Sequence, residues 1–189
     1  MRIPLLLLLI VATVAITSIV QTLITKSKVD MAVAVFKQTD VAGETTFRDV
    51  SGGCRVEANF TKLPAGLHGF HIHKAGDLRG EGCAGACEHY HKGRAQAHGG
   101  APGSKGPRHT GDLGNVRGPT FRGSYFLAGV KTADLLGRSL IVHADEDDLG
   151  RGGHEDSATT GHSGARIACA LIGRVSCSNM RRTRKVNGK

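Results

Sequence analysis

One segment of the chain, Lys74–Gly118, sets the main limit on what the sequence can fold into. It holds twelve glycines and few apolar side chains, so a hydrophobic core of its own cannot order it. A loop of this length without regular structure is rare in a compact domain unless it serves a function. The segment must therefore be held by something else, such as a metal ion or a disulfide, and it contains histidines and cysteines.

The rest of the sequence predicts an all-β domain. The chain has 189 residues, enough for one domain and too few for two. Glycine accounts for 27 of them, which is typical of the tight turns between short strands, and aromatic residues make up only 4%, which argues against base stacking. The strand candidates are Met31–Phe36, Thr45–Val50, Cys54–Phe60, Leu67–His73, Phe121–Val130, Ser139–Ala144 and Ala165–Ile172. This pattern favours a β-sandwich or a β-barrel.

Residues 1–25 have the composition of a signal peptide or a membrane anchor. No charged residue lies between Arg2 and Lys26, and residues 3–24 are long enough to span a bilayer. The domain would be exported through the secretory route and either secreted after cleavage or held on an anchor, and an anchored domain facing the cytosol is also consistent with the sequence. We place a linker at 26–30 and exclude these residues from the fold.

The net charge of +9 comes mainly from the two ends of the chain. Residues 1–30 contribute +2, residues 31–175 contribute +2 and residues 176–189 contribute +5. The nearly balanced body argues against specific nucleic-acid binding. The basic tail at 176–189 is expected to be disordered, or to contact a polyanion or an anionic membrane surface.

The histidines carry the chemistry of the sequence. His71 and His73 are two residues apart on one face of a predicted strand, so both imidazoles can point at one ion, while Phe70 and Ile72 occupy the other face. Imidazole suits copper and zinc, and a carboxylate with three imidazoles makes a closed tetrahedral zinc site. The candidate ligands are His71, His73, His89, His98, His109, Asp112 and His143.

At these residues the chain resembles the copper/zinc superoxide dismutase family. Gly66–His73, which reads GLHGFHIH, is similar to the first copper-binding signature of the family, and Gly161–Cys169, which reads GHSGARIAC, is similar to the second. The segments that match between them, in the family's order, are Arg108–Asn115, Leu140–His143 and Asp147–Gly150. The resemblance covers about residues 31–175.

This resemblance implies a fold and an activity. The fold would be an eight-stranded Greek-key β-barrel or sandwich with two long loops, a zinc/disulfide loop and an electrostatic loop. The activity would be the dismutation of superoxide to oxygen and hydrogen peroxide by copper that alternates between Cu(II) and Cu(I), in antioxidant defence. One copper and one zinc are implied per subunit. The implied copper ligands are His71, His73, His89 and His143, and the implied zinc ligands are His89, His98, His109 and Asp112.

The same resemblance implies roles for other residues. His89 would bridge the two metals and relay protons, and Arg166 would attract the anion beside copper. Asp147 would join a zinc histidine to a copper histidine, which fixes the tautomer of each ring. Cys83 and Cys169 would form the disulfide. His68 matches a family histidine with a structural role, so we do not count it as a ligand.

The chain departs from the family pattern in the loops. The intervals between His89, His98 and His109 are slightly longer than usual, so the loop could either re-form around zinc or bind it more weakly. Thr159 and Asp145 stand where the family usually has lysines, so weaker electrostatic steering of superoxide is expected. Ala75 replaces a bulky residue at the usual contact of the homodimer, which makes that dimer less certain.

Five cysteines leave at least one thiol or an intermolecular bridge. Cys87 lies inside the disulfide loop and could compete with Cys83 for Cys169. The sequence assigns no role to Cys54, Cys87 or Cys177.

Two other functions agree with parts of the sequence. A copper buffer or copper-delivery protein could have this fold, but delivery proteins of this kind lose copper ligands, whereas all seven ligand positions are filled here. A surface adhesion protein could use the anchor and the basic tail, but it would have no need for Arg166 beside a complete ligand set. We therefore expect an enzyme.

Overall fold

The computed structural model describes residues 31–94 and 96–175. The predicted signal peptide or anchor at 1–25, the linker at 26–30 and the basic tail at 176–189 lie outside the described residues, as does Cys177. Within the described part of the chain, no helix has the length and apolar composition needed to cross a bilayer.

Nine strands form two antiparallel sheets. The strands are β1 Met31–Lys37, β2 Ala42–Val50, β3 Gly53–Lys62, β4 Leu67–His73, β5 Asp112–Arg117, β6 Phe121–Ala128, β7 Ser139–His143, β8 Arg166–Leu171 and β9 Gly173–Arg174. One sheet has the order β6-β3-β2-β1-β9, and the other has the order β5-β4-β7-β8. The predicted all-β Greek-key fold is confirmed.

The ninth strand is a continuation of the eighth. Strand β8 pairs with β7 in the four-stranded sheet, and after Ile172 the chain pairs Gly173 and Arg174 with β1 in the five-stranded sheet. The last strand therefore joins the two sheets along one side, and the eight longer strands match the eight that the resemblance implies.

The four-stranded sheet has one apolar face and one face that carries histidines. Phe70 and Ile72 of β4 belong to the main core, together with Leu140 and Val142 of β7. The alternate positions of β4 and β7, and Cys169 of the neighbouring strand β8, lie outside this core, as the period of two residues requires. These alternate residues are His71, His73, Ile141, His143 and Cys169, and all of them are buried.

The core between the sheets is built around phenylalanines. The ring centroids of Phe36 and Phe60 are 5.1 Å apart, and Phe60 meets Phe70 edge-on at 5.5 Å. Strand β3 shows the expected alternation, because Val56, Ala58 and Phe60 are buried whereas the residues between them are not fully buried. The barrel is therefore stabilised by ordinary hydrophobic packing, independently of the histidine face.

The glycine-rich segment is more regular than we expected. The prediction that Lys74–Gly118 is one long loop is wrong at its end, because Asp112–Arg117 forms strand β5, with Leu113 and Val116 in the core. A 3-10 turn covers Glu81–Ala86, and two short helices outside the segment, α1 at Thr132–Leu135 and α2 at Ser157–Thr160, have no counterpart in the sequence prediction. Two apolar residues among glycines and polar residues gave too weak a periodic pattern to reveal β5.

Backbone hydrogen bonds fasten the middle of the long loop to strand β4. Tyr90 donates its N–H to the carbonyl of Ile72 at 2.7 Å, and Gly111 donates to the carbonyl of Tyr90 at 2.8 Å. The guanidinium carbon of Arg138 lies 3.7 Å from the centroid of the Tyr90 ring, a cation–π contact. The loop thus lies over the histidine face of the sheet and covers it.

The disulfide fixes the outer part of the loop to strand β8. Cys83 and Cys169 are bonded across a sequence separation of 86 residues, so the implied pairing is confirmed. Ala86 and Ile141 pack with these two cysteines in a small apolar cluster on the histidine side of the sheet. The disulfide therefore sets the distance between the loop and the strand that carries Arg166.

Removing this disulfide should destabilise the whole domain. In the Cys83→Ser/Cys169→Ser variant we expect the free energy of unfolding to fall by about 2–5 kcal/mol, because a long loop in the unfolded chain is no longer closed. Guanidinium chloride titration checks this, with Cys87→Ser as the matched control that removes a free thiol. An unfolding midpoint of the wild type that does not move on reduction would contradict the prediction.

Candidate metal centre

Four buried histidines converge on one point beside the four-stranded sheet. Each of them offers a nitrogen, and these four nitrogens lie within 4.8 Å of one another. His71 and His73 come from β4, His143 ends β7, and His89 comes from the loop, where it forms an isolated bridge with His73. All four rings are at least 95% buried. The structure thus brings together the four residues that the resemblance implies as copper ligands.

Each ring of this first cluster uses one nitrogen to bond the protein. His71 Nε2 is 2.9 Å from an Asp147 oxygen, and His73 Nδ1 is 2.8 Å from the carbonyl oxygen of Cys87. His89 Nδ1 is 2.9 Å from Asp112 Oδ1, and His143 Nδ1 is 3.1 Å from the carbonyl oxygen of Gly164. The opposite nitrogens have no hydrogen-bond partner: His71 Nδ1, His73 Nε2, His89 Nε2 and His143 Nε2.

This arrangement is the one expected of metal ligands. A buried polar atom without a partner is costly, and four at one point require a shared partner. An imidazole that donates one N–H to a carbonyl or carboxylate has a fixed tautomer, with a lone pair on its other nitrogen. The four bare nitrogens therefore form a set of donors for a cation.

A second cluster surrounds the carboxylate of Asp112. Its Oδ1 atom lies 2.9 Å from His89 Nδ1, 3.1 Å from His98 Nδ1 and 3.2 Å from His109 Nδ1. The contact with His98 Nδ1 is close but is not aligned for a hydrogen bond, so this nitrogen has no hydrogen-bond partner. Backbone N–H groups of Gly99 and His109 donate to Oδ2 of the same carboxylate. Three imidazoles and one carboxylate thus face one another, and their ligand atoms are close enough to share one ion.

His89 belongs to both clusters. Its Nδ1 atom faces Asp112 in the second cluster, and its Nε2 atom faces the bare nitrogens of the first. The structure therefore places His89 between the two sets of ligand residues that the resemblance implies.

The carboxylate of Asp147 contacts one histidine of each cluster. One of its oxygens is 2.9 Å from His71 Nε2, and the other is 2.8 Å from His98 Nε2. Asn115 holds the main chain of Asp147 through two hydrogen bonds of 2.8 Å, one in each direction. Gly161 lies so close to Asp147 and His98 that a side chain at this position would clash with both. Asp147 occupies the linking position that the resemblance implies.

The two clusters differ in charge, and the histidines of the first cluster are neutral. Burial is the main cause that lowers the pKa of His71, His73 and His89, and it lowers the pKa of His143 to about 4. These four rings are therefore neutral at pH 7, and their lone pairs are free for a metal.

The second cluster carries negative charge. Burial alone would raise the pKa of Asp112, but its contacts with three imidazoles hold it well below its usual range. Burial likewise acts to lower the pKa of His98, but Asp112 and Asp147 outweigh it and raise the pKa to about 9. An ionised carboxylate among imidazoles favours a positive charge at the centre, which a divalent ion would supply.

An open pocket of about 590 Å³ leads to the first cluster. Its walls include His73, His89, His143 and Arg166, together with Cys87 and residues of helix α2. The guanidinium of Arg166 donates to the carbonyls of Cys83 at 2.7 Å and of Cys87 at 2.6 Å. These bonds hold a positive charge in the pocket wall, where the resemblance placed it.

The remaining histidines stay outside the two clusters. His68 Nδ1 is 3.0 Å from the carbonyls of His143 and Ala144, which agrees with the structural role expected of it. His91 accepts a hydrogen bond from the backbone of Thr110. His154 and His162 stack on each other, with ring centroids 3.7 Å apart, in the loop beside the pocket.

Several supporting groups were missed at the sequence level. The carbonyls of Cys87 and Gly164 orient His73 and His143, but a main-chain carbonyl leaves no mark on a sequence. Asn115 ends the segment Arg108–Asn115, which is similar to the family, yet its residue type alone did not reveal its bonds to Asp147. The contact of Arg138 with Tyr90 joins distant parts of the chain, and no local pattern predicts it.

The β-barrel carries two histidine clusters on the outer face of one sheet. His89 belongs to both clusters, and the carboxylate of Asp147 contacts both. This arrangement is that of a dinuclear metalloprotein. The family model for copper/zinc superoxide dismutase matches residues 41–172. The chain belongs to this family.

Individual relatives agree with this result. A Cu-Zn superoxide dismutase of Paramecium bursaria Chlorella virus 1 is 41% identical over 149 residues, which cover 75% of this chain and 77% of the relative. Cu-Zn superoxide dismutase 2 of Mesembryanthemum crystallinum is 42% identical over 154 residues, 75% of this chain and 94% of the relative. The crystal structure of the clock protein EA4 aligns with a TM-score of 0.71 and 33% identity, over 79% of this chain and 97% of that one.

Copper and zinc, the metals of this family, fit the two donor sets. The first cluster offers only imidazole nitrogens, which suit copper, and a pocket opens onto it. The second offers three imidazoles and a carboxylate, the closed set that zinc takes in structural sites. The longer spacing of the zinc loop does not keep His98 and His109 from reaching Asp112.

Replacing the linking carboxylate should weaken both sites. In Asp147→Asn the amide has one acceptor oxygen instead of two, so His71 or His98 loses its acceptor and its fixed tautomer. We expect the affinity for copper and for zinc to fall by about 10-fold to 100-fold, as is usual when a group that orients a ligand is lost. Competition with a chelator, followed by metal analysis, measures this, and Asp148→Asn, one residue along, is the control. Equal retention of both metals in Asp147→Asn would rule the prediction out.

Proposed function

We propose that this chain disproportionates superoxide at the first histidine cluster, so that two superoxide anions and two protons give one oxygen and one hydrogen peroxide. The observation that carries the proposal is the set of four buried, bare imidazole nitrogens at the end of an open pocket. His71, His73, His89 and His143 would hold copper, and His89, His98, His109 and Asp112 would hold zinc. Copper, when bound, supplies the redox chemistry by alternating between Cu(II) and Cu(I).

His89 is the residue that moves protons in this proposal. Burial keeps the ring neutral, and its Nδ1 side is fixed among Asp112 and the zinc ligands. His89 lines the pocket that leads to solvent, and its Nε2 atom has no partner in the protein, so this atom can take up a proton and release it to a departing peroxide. The fixed side of the ring keeps Nε2 in place while it does so.

Arg166 guides the anion. Its side chain bonds carbonyls, and the ion pairs seen among the described residues do not include it, so its charge is not neutralised by a carboxylate at contact distance. Glu88 and Asp156 also line the pocket, but Glu88 pairs with Lys74 and Asp156 bonds His162. A fixed positive charge at the wall raises the local concentration of a small anion.

The decisive experiment is the dismutation rate measured together with the metal content of the same sample. The chain loaded with copper and zinc should show a fast, copper-dependent rate, and His143→Ala should lose it because one copper ligand is missing. His154→Ala, which changes an exposed histidine outside both clusters, serves as the control. Full loading of the wild type without any rate would overturn the enzymatic proposal and favour a copper-storage role.

A homodimer is the second part of the proposal. Leu171 is 49% exposed on β8, and its Cδ1 atom packs over Gly76, beside Ala75. Strand β8 is an edge of the four-stranded sheet, so this edge keeps an exposed apolar side chain despite the small residue at position 75. Val35 and Leu78 are further exposed apolar residues. An exposed apolar edge of this kind is typical of a subunit contact.

Sedimentation velocity tests the dimer. The wild type should sediment as a dimer, and Leu171→Asp should shift it toward the monomer because it places a charge in an apolar contact. Phe126→Asp is the matched control, since Phe126 is equally exposed but lies on β6, at the opposite edge of the five-stranded sheet. A wild-type monomer at micromolar concentration would refute this part of the proposal.

The two ends of the chain would decide where the domain works. We expect residues 1–25 to direct export, as a cleaved signal peptide or as an anchor. Fractionation of cells that express the full chain and a chain starting at residue 26 tests this, and an identical distribution of both would contradict it. Contact of residues 176–189 with a polyanion or an anionic membrane stays a prediction, which retention on heparin with and without 178–189 can check.

A further inference from the structure

A free thiol lies in the wall of the pocket that leads to the first cluster. Cys87 lines this pocket together with His73, His89, His143 and Arg166, and its side chain is exposed. Cys83 and Cys169 are joined in the disulfide, and Cys54 is buried in the core. Among the described cysteines, Cys87 is therefore the one whose sulfur is both reduced and open to solvent.

The main chain holds Cys87 in a rigid place. Its carbonyl oxygen lies at hydrogen-bond distance from His73 Nδ1, at 2.8 Å, and accepts a hydrogen bond from Arg166 Nη2 at 2.6 Å. The main chain of Cys87 is therefore fixed by two side chains of the pocket. Its backbone, with φ 61° and ψ −153°, lies in a region that glycine adopts readily and other residues avoid. A cysteine thus stands where a glycine would fit with less strain.

The same pocket contains buried nitrogens that need a cation. The Nε2 atoms of His73, His89 and His143 have no hydrogen-bond partner, their rings are at least 95% buried, and all three residues line the pocket with Cys87. Thiolate sulfur is a soft ligand that selects Cu(I), and imidazole also binds copper. The exposed residue Cys87 and the buried imidazoles therefore offer sulfur and nitrogen ligands for copper around one pocket.

Cys87 is not a member of the cluster itself. The groups of ligand atoms that lie within 4.8 Å of one another in the described residues do not include its sulfur. Arg166 lies beside it in the pocket wall and would repel a free cation. Once Cu(I) has displaced the thiol proton, the copper–sulfur unit carries no net charge, so Arg166 does not repel it.

We propose that Cys87 Sγ is a capture site for Cu(I), from which the ion passes inward to His71, His73, His89 and His143. The sulfur releases its proton to water when it binds Cu(I) and takes a proton back when the ion moves to the imidazole nitrogens. The oxidation state of copper does not change in this transfer. The inference rests on the proposed function, since it assumes that the four histidines are the final copper site.

The rate of copper loading tests the capture site. Metal-free protein is mixed without oxygen with Cu(I) bound to bicinchoninate, and the loss of the chelator's colour is followed. We expect Cys87→Ser to load about 10-fold more slowly than the wild type, since one ligand group on the path is lost. The final copper content per chain should be equal, because the cluster is intact.

Two control variants separate the sulfur from its surroundings. Cys87→Gly also lacks the thiol but relieves the backbone, so it should load as slowly as Cys87→Ser while its melting temperature rises. Cys54→Ala removes a buried thiol and should load at the wild-type rate. Equal rates in all four proteins, or a wild-type rate in Cys87→Gly, would overturn the capture site.

X-ray absorption at the copper edge gives a readout that does not depend on rates. In His143→Ala the inner site lacks one ligand, so Cu(I) should remain outside and show a copper–sulfur contact that disappears in His143→Ala/Cys87→Ser. Only nitrogen neighbours in His143→Ala would refute the proposal. A wild type that takes up no copper at all would refute the proposed function as well, and its metal content alone reports this.

Discussion

The structure depends on one constraint, which is that buried imidazole nitrogens must be paired. Five of them, on His71, His73, His89, His98 and His143, have no hydrogen-bond partner within the protein. An unpaired buried polar atom costs about 1–3 kcal/mol, so a cation shared by these nitrogens would stabilise the folded domain. Binding of metal is therefore also a contribution to the stability of the fold.

The rest of the molecule is arranged around this constraint. The core between the sheets needs no metal, and it presents a rigid sheet whose outer face carries the histidines of β4 and β7. The long loop then buries that face, brings His89, His98 and His109 to it, and is held by Tyr90 hydrogen bonds and by the Cys83–Cys169 disulfide. Hydrophobic packing thus stabilises the sheet that carries the histidines. The loop covers them, and this burial lowers the pKa of the four rings of the first cluster.

The sequence predicted the parts of this design that depend on residue type and period. The two-residue alternation of Leu67–His73 separated the core face from the face that carries histidines. The resemblance to a known family implied the metal ligands, the role of Asp147 and the disulfide, and the structure contains that disulfide. The prediction failed where the pattern was weak, as in β5, whose buried residues Leu113 and Val116 are separated by polar residues and glycine. It could not find partners that are main-chain atoms, such as the carbonyls of Cys87 and Gly164, because every residue has one.

The two oxygens of Asp147 have a thermodynamic consequence. One carboxylate orients His71 of the first cluster and His98 of the second, and His89 contributes a nitrogen to each. A metal at either cluster fixes groups that the other cluster uses, so the two binding equilibria are linked. By the reciprocity of linkage, the factor by which zinc changes the affinity for copper equals the factor by which copper changes the affinity for zinc. The order in which the ions arrive therefore has no effect on the total free energy of the doubly loaded domain.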